Sequence, residues 1–411
     1  MQYLSKLALV CCLFLAQLCY GQTELKTMFY NLLNFSSAPP SNRLELLNSI
    51  LDSYEPDLLM VCEVESQQDG IDILNESFSY STAPIAQAPF LFNTSGASLI
   101  HQLVYYDTNK LILDYTDQIE TNVRSINHYS FFINTQSKPK LEVFVAHFKA
   151  SRGEINEEER LFEAQQFIQY IQNYPSDSNI LLAGDFNMYS ADEPGYQTLL
   201  NGTENLALVD PIQTSGDWNN NSDFAGTHTQ STRVSTEEFD DFGAGGGLDD
   251  RFDFMLISDA LTTPTNSISY VDESYEAFGN NANCFNNRIN SIDCDGYYDQ
   301  ELRDWLYQMS DHLPVVMKLS IQEEVLSTTD FESTKNVIFL KGNLVKNYLK
   351  LKFSPDLKSK NCKIYNLLGQ ELNSFVITDL KTEIDVSSYP AGLYLLSIEQ
   401  VKNVEKFYVH H

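Results

Sequence analysis

The stretch that decides the fold is LLAGDFN, residues 181–187, a short apolar run that ends in a tight polar turn. A few apolar residues closed by a glycine are typical of a buried strand. Asp185 and Asn187 are two positions apart, so near a strand end their side chains can point the same way. A carboxylate beside a carboxamide can hold a water, a phosphoryl oxygen or a hard cation such as Mg²⁺. An Asx turn after a strand has the same sequence, so the rest of the chain must decide between the two.

Other segments share this build, an apolar run beside a polar side chain. We expect strands at residues 24–34, 57–63 and 141–147, a pair of strands at 98–106 and 110–119, and strand-like runs at 251–257 and 310–316. The apolar spacing predicts a helix over residues 42–54, and Asn156 with Glu159 predicts the start of another. The polar residues at these strand ends are Asn31, Glu63, His147, Asp185, Asn187, Asp253, Asp311 and His312. Strands and helices mixed in this order indicate an α/β (α+β) domain.

Each of these residues also has a structural explanation. Asn31 can cap a turn, and Asn34 competes with it. Glu63 can be a solvated strand end, and Glu65 is an alternative ligand. A single histidine in such a place is more often a surface residue. It is the joint occurrence of eight polar strand ends in one chain that favours a functional site.

The order of these segments carries a resemblance. The series N…PDLLxxxE…HFK…GDFN…RFDF…SDH, spread over residues 24–320, resembles the endonuclease/exonuclease/phosphatase superfamily, in which deoxyribonucleases and neutral sphingomyelinases occur. Each motif alone is weak, and the order makes the set specific. The resemblance implies a four-layer αββα sandwich, with two mixed β-sheets face to face and helices outside. It also implies a metal-dependent phosphoester hydrolase site at one rim.

The residue types fit the chemistry of phosphodiester cleavage, which needs charge neutralisation, an activated water and a stabilised leaving oxygen. We expect Mg²⁺ or Mn²⁺ to be held by Glu63, assisted by Asn31 and Asp311. Asn31, Lys149 and Arg152 are the predicted substrate-binding residues. The predicted catalytic residues are His147, Asp185, Asn187, Asp253 and His312. In this set Asp185 activates the water, and Asn187 and His147 contact the phosphate. The resemblance implies that His312 also binds the phosphate and that Asp253 pairs with it and fixes its tautomer.

The charge distribution restricts how a substrate can be bound. The chain of 411 residues has a formal net charge of −30. Residues 22–320 contain 14 Lys and Arg against 45 Asp and Glu, a net of −31, whereas residues 336–411 contain 10 against 7, a net of +3. Such an acidic body repels phosphate polymers at long range, so the charge does not predict tight non-specific nucleic-acid binding, and divalent cations or a salty environment would have to offset it. The cations that the sequence places near the site are Lys149, Arg152, Arg233 and Arg251.

Apart from the RFDF motif at residues 251–254, the family pattern gives no guidance for the region from Asn205 to Gln308. We expect these insertions to frame the substrate groove, because functional loops lie on the rim of a rigid scaffold. Thr227-His228-Thr229 is a candidate phosphate contact or a surface turn. The acids around the glycine-rich segment 243–247 are candidates for structural Ca²⁺ or for a solvated loop. They are Glu237, Glu238, Asp240, Asp241, Asp249 and Asp250.

The amino terminus predicts export. Residues 1–21 fit a signal peptide, with Lys6 before an apolar run that is too short to span a bilayer. A lipoprotein anchor on Cys19 is the alternative. We expect no membrane span in the mature protein, a disulfide between Cys284 and Cys294, and a buried thiol at Cys62.

The last part of the chain differs in composition from the rest. Residues 321–335 are rich in Glu, Ser and Thr and predict a linker between a catalytic domain at 22–320 and a β-sandwich at 336–411. The segments KIYNLLGQ, from Lys363, and PAGLY, from Pro390, resemble the C-terminal sorting domain of Bacteroidetes type IX secretion cargo. The chain departs from that pattern where Leu344 follows Asn343, since the family usually has proline there. The resemblance implies the type IX secretion machinery as a partner, and release or attachment at the cell surface.

Three functions compete on the sequence alone. A secreted, metal-dependent endonuclease that hydrolyses DNA or RNA, acting as a monomer on nucleic acid, is the favoured one. The second is a sphingomyelinase-like or phosphoinositide-phosphatase-like enzyme, which requires an exposed apolar hairpin, and residues 83–92 are the candidate. The third is a catalytically idle surface-binding protein, which the complete set of polar strand ends disfavours.

Overall fold

A computed structural model describes residues 23–322, 337–339, 344–399, 401 and 404–410. The predicted signal peptide and residues 323–335 of the predicted linker lie outside the described residues. The chain divides into two compact units, Met1–Glu324 and Val325–His411.

The first unit contains two β-sheets. The strands are β1 Thr23–Phe35, β2 Leu58–Val64, β3 Ile85–Gln87, β4 His101–Asp107, β5 Leu111–Ile119, β6 Ile126–Ile133, β7 Lys140–His147, β8 Ile180–Asp185, β9 Leu208–Val209, β10 Asp253–Ser258, β11 Ile268–Tyr270, β12 Glu276–Ala277 and β13 Val315–Ile321. The helices are α1 Arg43–Tyr54, α2 Gln67–Glu76, α3 Glu154–Ile171, α4 Pro194–Asn201 and α5 Gln300–Met309.

The two sheets are mixed and pack face to face. The first has seven strands in the order β11-β13-β1-β2-β4-β3, with β12 also paired to β13, and the second has six in the order β5-β6-β7-β8-β10-β9. Apolar residues from both sheets, such as Phe29 and Met60 of the first and Val143 and Leu181 of the second, form one buried cluster between them. The near-continuous apolar runs of β2 and β8 follow from this position, because both faces of each strand are covered.

Helices cover the two outer faces. Leu47 of α1 and Leu306 of α5 pack in a second cluster with residues of the first sheet. Phe167 of α3 and Leu199 of α4 pack in a third cluster with residues of the second sheet. These layers confirm the predicted four-layer αββα sandwich.

Three local predictions need correction. The strands predicted at 98–106 and 110–119 form, but they do not pair, because β4 joins β2 in the first sheet and β5 joins β6 in the second. Strand β6 was not predicted. Helix α3 begins at Glu154. The residue before it, Gly153, has a φ of 107° and is the last residue of the preceding loop. Asn156 therefore lies inside the helix, where its amide donates to the carbonyl of Arg152 at 2.9 Å.

The second unit is a small sandwich of two sheets. Its strands are β14 Val337–Phe339, β15 Leu344–Val345, β16 Tyr348–Phe353, β17 Asn361–Asn366, β18 Glu371–Val376, β19 Lys381–Asp385, β20 Gly392–Ile398 and β21 Glu405–Val409. They form a three-stranded sheet, β14-β16-β19, and a five-stranded sheet, β15-β21-β20-β17-β18. Leu351 and Ile384 of the first and Leu396 and Phe407 of the second share one buried cluster. The two sheets agree with the small β-sandwich predicted for this part of the chain.

The cysteines meet two further expectations. Cys284 and Cys294 are joined by a disulfide with a Cα–Cα distance of 5.0 Å. Cys62 is a buried thiol whose pKa burial raises well above the usual value. In the part of the chain that the structure describes, no helix combines the length and the apolar character needed to cross a membrane.

Candidate functional site

Three neighbouring strands of the second sheet place three of the predicted residues side by side. His147 at the end of β7 is the register partner of Asp185 at the end of β8, and Asp253 at the start of β10 is also paired with Asp185. All three side chains are buried, at 5%, 2% and 0% exposure. The sheet register therefore brings together residues that are far apart in the sequence.

The first sheet contributes Asn31 and Glu63 from the facing side. The amide of Asn31 donates to Glu63 Oε1 and to Asp185 Oδ2, both at 3.0 Å. The pairing of β1 with β2 is irregular between Asn31 and Phe35. Within this irregular stretch the backbone amide of Asn34 donates to Glu63 Oε2 at 2.8 Å. Glu63 itself has a φ of 64°, a left-handed conformation that is strained for a residue with a side chain. This bulge aims the carboxylate at the site.

His312 completes the centre. Its Nδ1 lies 2.7 Å from Asp253 Oδ2, and its Nε2 faces Asp185 Oδ2 at 3.7 Å. Asp253 is held in turn by Thr229, whose hydroxyl accepts from the backbone amides of Phe252 and Asp253 at 3.1 and 3.2 Å. The arrangement leaves Nε2 as the ring nitrogen that faces the centre of the site.

The burial of these charges changes their pKa values. Burial raises the pKa of Asp185 to about 7, with Asp253 and Glu63 adding to the effect and with His312 opposing it. Burial opposes the charged form of His312, but the carboxylates of Asp253, Asp311 and Asp185 raise its pKa well above the usual range. At neutral pH His312 is therefore an imidazolium beside a carboxylate that is near its midpoint.

His147 and Asn187 lie on the other side of Asp185. His147 Nε2 is 3.5 Å from Asp185 Oδ2 and 3.8 Å from Glu63 Oε1. Burial, together with the charges of Arg124 and His312, holds the pKa of His147 well below its usual range. Asp185 Oδ1 accepts from the backbone amide of Asn187 at 3.1 Å, and the Asn187 φ of 52° turns the chain back toward the site. The ring of His147 is therefore neutral and next to the carboxylates.

Asp311 is bound by donors from the insertions on one of its oxygens, and its other oxygen is buried without a hydrogen-bond partner. Its Oδ2 accepts from the backbone amide of Ala244 at 2.6 Å and from the side chain of Gln230 at 3.3 Å. It belongs to neither group of metal-ligand atoms in the described residues. The structure thus places Asp311 against the loop at 243–244, while Glu63 and Asn31 face Asp185. Glu65 also points elsewhere, since its carboxylate contacts Ser37.

The predicted cations divide into two kinds. Lys149 donates from Nζ to the carbonyl of Ala150 at 2.9 Å, and the exposed Arg152 stacks on the ring of Tyr189 at 4.5 Å. Both remain at the surface next to His147 and Asn187. Arg233 and Arg251, in contrast, are buried inside the protein. Arg251 pairs with Asp210 at 2.7 Å and Arg233 donates to the carbonyls of Tyr307 and Gln308.

The insertions at 205–308 take part in the site at two places, the segment 229–230 and the loop at 243–244. His228 is fully buried, with Nε2 2.8 Å from the carbonyl of Trp218, so it is no surface phosphate contact. The acids proposed for Ca²⁺ do not form a group with metal-ligand geometry among the described residues. Instead, Glu238 accepts from the hydroxyl of Tyr307 at 3.0 Å.

Gln230 and Arg124 were not predicted from the sequence. The amide nitrogen of Gln230 lies 2.6 Å from His312 Nε2. Arg124 donates to the carbonyls of His147 and Phe148 at 2.7 and 2.5 Å, which fixes the end of β7. No sequence pattern marks either residue, because each acts through a contact between distant segments.

A comparison with protein families decides the identity of the first unit. The profile described as "Endonuclease/Exonuclease/phosphatase family" matches residues 28–312. The chain belongs to the endonuclease/exonuclease/phosphatase family. This family generally hydrolyses phosphoester bonds with a divalent metal. A second profile, "Secretion system C-terminal sorting domain", matches residues 343–410 and indicates type IX secretion, and so export or display at the cell surface.

Three similar solved structures each cover 72–74% of this chain. The human nocturnin catalytic domain with bound sulfate is 15% identical over 74% of this chain and 98% of its own, with a TM-score of 0.48. TDP2 of D. rerio, complexed with a single-strand DNA product, is 16% identical over 72% and 99%, also at 0.48. An endonuclease/exonuclease/phosphatase of Bacteroides vulgatus is 14% identical over 73% and 99%, at 0.48. No curated protein matches the chain.

The site fits the divalent metal that the family uses. Ligand atoms of Glu63, His147 and Asp185 lie within 4.8 Å of one another, as do those of Asp185, Asp253 and His312. One carboxylate oxygen of Asp253 is buried without a hydrogen-bond partner. Clustered carboxylate oxygens next to an amide are the donors that hard cations prefer. Of the two groups, the one with Glu63 has the more accessible carboxylate, since Glu63 is half-buried and Asp253 is fully buried.

Proposed function

We propose that this protein is an exported phosphodiesterase that needs a divalent metal and cleaves nucleic acid without sequence specificity. The observation that carries the proposal is the centre formed by Asn31, Glu63, Asp185, Asp253 and His312. Hydrogen bonds and ion pairs of 2.7–3.7 Å join these residues from both sheets at one rim.

The metal and the acid–base residues have separate tasks in this proposal. Glu63 would hold the divalent cation, which would neutralise charge on the phosphoryl group. Asn31 turns its N–H groups toward Glu63 and Asp185, while its Oδ1 accepts from the backbone amide of Leu33 at 2.9 Å, so it would position these carboxylates. Asp185 orients the attacking water and takes its proton, for which a pKa of about 7 is well matched at neutral pH. The backbone amide of Asn187 and the side-chain amide of Asn31 keep the carboxylate in place.

The two histidines contact the phosphate. His312, protonated and held through Nδ1 by Asp253, donates from Nε2 to a phosphoryl oxygen, where negative charge grows in the transition state. His147 is neutral, so it offers one N–H to another oxygen without adding charge. The Asn187 amide, 3.3 Å from the carbonyl of Phe148, is positioned to assist.

Charge favours weak, salt-tolerant binding of nucleic acid. Of the four cations expected at the rim, Lys149 and Arg152 lie at the surface, whereas Arg233 and Arg251 are bound inside the protein. If about 2–4 phosphates are contacted, the slope of log K against log salt should be shallow, near −0.9 for each on duplex DNA. We therefore propose extracellular cleavage of DNA or RNA at elevated ionic strength.

One observation supports a lipid phosphodiester as the second candidate. Phe92 and Leu99 are exposed at 59% and 80% on the loop before β4. That loop leads into His101, which pairs with Val64, the residue after Glu63. The other apolar residues of the predicted hairpin do not form an exposed apolar surface, because Ile85 belongs to a sheet strand and Phe90 packs on the core.

The test compares substrates in a single preparation. The purified protein is assayed on plasmid DNA, RNA, sphingomyelin, a phosphoinositide and bis-nitrophenyl phosphate, with Mg²⁺, Mn²⁺ or chelator, and with Asp185→Asn as the inactive control. The proposal expects metal-dependent cleavage of DNA or RNA that falls less than a thousandfold in kcat/KM from low to roughly seawater ionic strength. Turnover of sphingomyelin or phosphoinositide alone favours the second candidate. Full activity in chelator contradicts both.

A further inference from the structure

Gln230 is the side chain outside the predicted set that comes closest to the reacting atoms. Its amide nitrogen lies 2.6 Å from His312 Nε2 and 3.3 Å from Asp311 Oδ2. Because Asp253 occupies Nδ1 of the same ring, Nε2 is the nitrogen left to meet a substrate. The carboxamide of Gln230 therefore lies where a phosphoryl oxygen would contact His312.

The backbone of Gln230 is fixed independently of its side chain. Its amide donates to the carbonyl of Asp250 at 3.0 Å, and its carbonyl accepts from the amides of Asp249 and Asp250 at 2.9 and 2.8 Å. On its other side it forms a β-bridge with His312. Gln230 is thus bonded on one side to Asp250, which precedes Asp253 by three residues, and on the other side to His312. The fold therefore sets the position of its carboxamide. The side chain itself is half-buried and reaches the surface of the site.

We propose that Gln230 is a further catalytic residue of this site, which donates its amide N–H to the same phosphoryl oxygen as His312 Nε2. Two nitrogens in direct contact are both within hydrogen-bond reach of one oxygen placed about 2.8–3.0 Å from each. A pair of fixed donors on one oxygen stabilises the charge that grows there in the transition state. In the free protein the two nitrogens lie side by side without an acceptor between them, because Nε2 of the protonated His312 is itself a donor, and a substrate oxygen supplies that acceptor.

A purely positioning role makes a different prediction from a substrate contact. If Gln230 only held His312, the isosteric Gln230→Glu would preserve or strengthen that contact, because a carboxylate accepts from an imidazolium. If Gln230 donates to phosphate, the same change removes the donor and adds a repelling charge. The order of the two variants Gln230→Ala and Gln230→Glu therefore separates the roles.

The inference rests on the proposed function, so the experiment includes binding without turnover. Binding of inorganic phosphate at fixed Mg²⁺ is measured by calorimetry, and kcat and KM are measured on bis-nitrophenyl phosphate. We expect Gln230→Ala to weaken phosphate binding about fivefold and to lower kcat about 10–100-fold, with KM changed less than about threefold. Gln230→Glu should lose more than Gln230→Ala in both. Gln230→Asn, one methylene shorter, should resemble Gln230→Ala.

The matched control is Gln197→Glu on α4, where the amide donates to the carbonyl of Ala191 at 2.6 Å outside the site. It should behave as the unchanged protein. Unchanged phosphate binding in both Gln230 variants, or a Gln230→Glu variant as active as the unchanged protein, overturns the inference while leaving the proposed function intact. If the unchanged protein neither binds phosphate nor hydrolyses any substrate, the proposed function and this inference both fail. Tryptophan fluorescence checks folding, since Trp218 and Trp305 both belong to the first unit.

Discussion

Replacing Asp185 by asparagine should remove activity and yet stabilise the metal-free protein at neutral pH. Asp185 is 2% exposed and shares the site with Asp253 and Glu63, and its pKa is raised from 3.8 to about 7. A shift of about three units corresponds to roughly 4 kcal/mol by which the folded state disfavours the ionised carboxylate. Asparagine removes that charge at nearly the same size.

Part of this gain is offset by hydrogen bonding. Asp185 accepts from the amides of Asn31 and Asn187, at 3.0 and 3.1 Å, and an asparagine can accept only on its oxygen. The NH₂ group of the new asparagine must then face one of these N–H donors with no acceptor between them, which costs about 1–3 kcal/mol. His312 also loses a nearby negative charge. We expect a net gain of about 1–3 kcal/mol, or a rise in Tm of about 2–5 °C for a unit of this size.

The pH dependence gives the sharper test. Between pH 4 and 7 the folded protein keeps the Asp185 proton that the unfolded chain has released, so the stability of the unchanged protein falls as pH rises through this window. The variant lacks this dependence, so its advantage should be absent near pH 4 and fully developed above pH 7. Melting is followed by fluorescence of Trp218 and Trp305, which report on the first unit alone.

The matched control is Asp210→Asn, because Asp210 is a buried carboxylate whose pKa is lowered and not raised. Burial opposes its charge, but the bidentate pair with Arg251 lowers the pKa of Asp210 below its usual value. Removing its charge leaves a buried guanidinium unpaired, so this variant should be destabilised at neutral pH. A lower Tm for Asp185→Asn at pH 8 in chelator, with the Asp210 control behaving as stated, would refute the reasoning.

Three further predictions concern the metal, the support of the catalytic pair and the disulfide. Glu63→Gln should raise the Mg²⁺ concentration needed for half-maximal activity at least about tenfold, which a metal titration of turnover measures. The Tm in chelator should stay nearly constant, because the half-buried carboxylate contributes little to the core. Thr229→Val leaves the two backbone amides that donate to its hydroxyl without an acceptor, which costs about 1–3 kcal/mol each. Tm and kcat should therefore both fall. An unchanged kcat would show that the position of Asp253 does not depend on Thr229. Replacing Cys284 and Cys294 by serine, which opens a loop with a sequence separation of 10, should lower stability by up to about 3 kcal/mol on the chain-entropy argument, and non-reducing mass spectrometry should find the bond in the unchanged protein.

The sequence by itself determined the sandwich and most of the strand ends. Apolar runs such as 181–184 predict buried strands because both faces of these strands are covered, and a polar residue directly after such a run must lie at the rim of a sheet. The pairing of Asp253 with His312 was implied by the resemblance to the family, and the structure places His312 Nδ1 and Asp253 Oδ2 2.7 Å apart. The sequence also determined the disulfide and the second unit.

Only the tertiary structure decided which neighbours each polar residue has. Asp311 and His312 are adjacent in sequence, but Asp311 contacts the amide of Ala244 while His312 faces Asp185. Arg251 follows an acidic pair in the sequence and lies buried against Asp210, 41 positions away. Local pattern fixes whether a side chain lies at a strand end, because that depends on neighbouring residues. Which atoms it meets there depends on the packing of segments that the sequence separates by tens to hundreds of residues, and no local pattern records it.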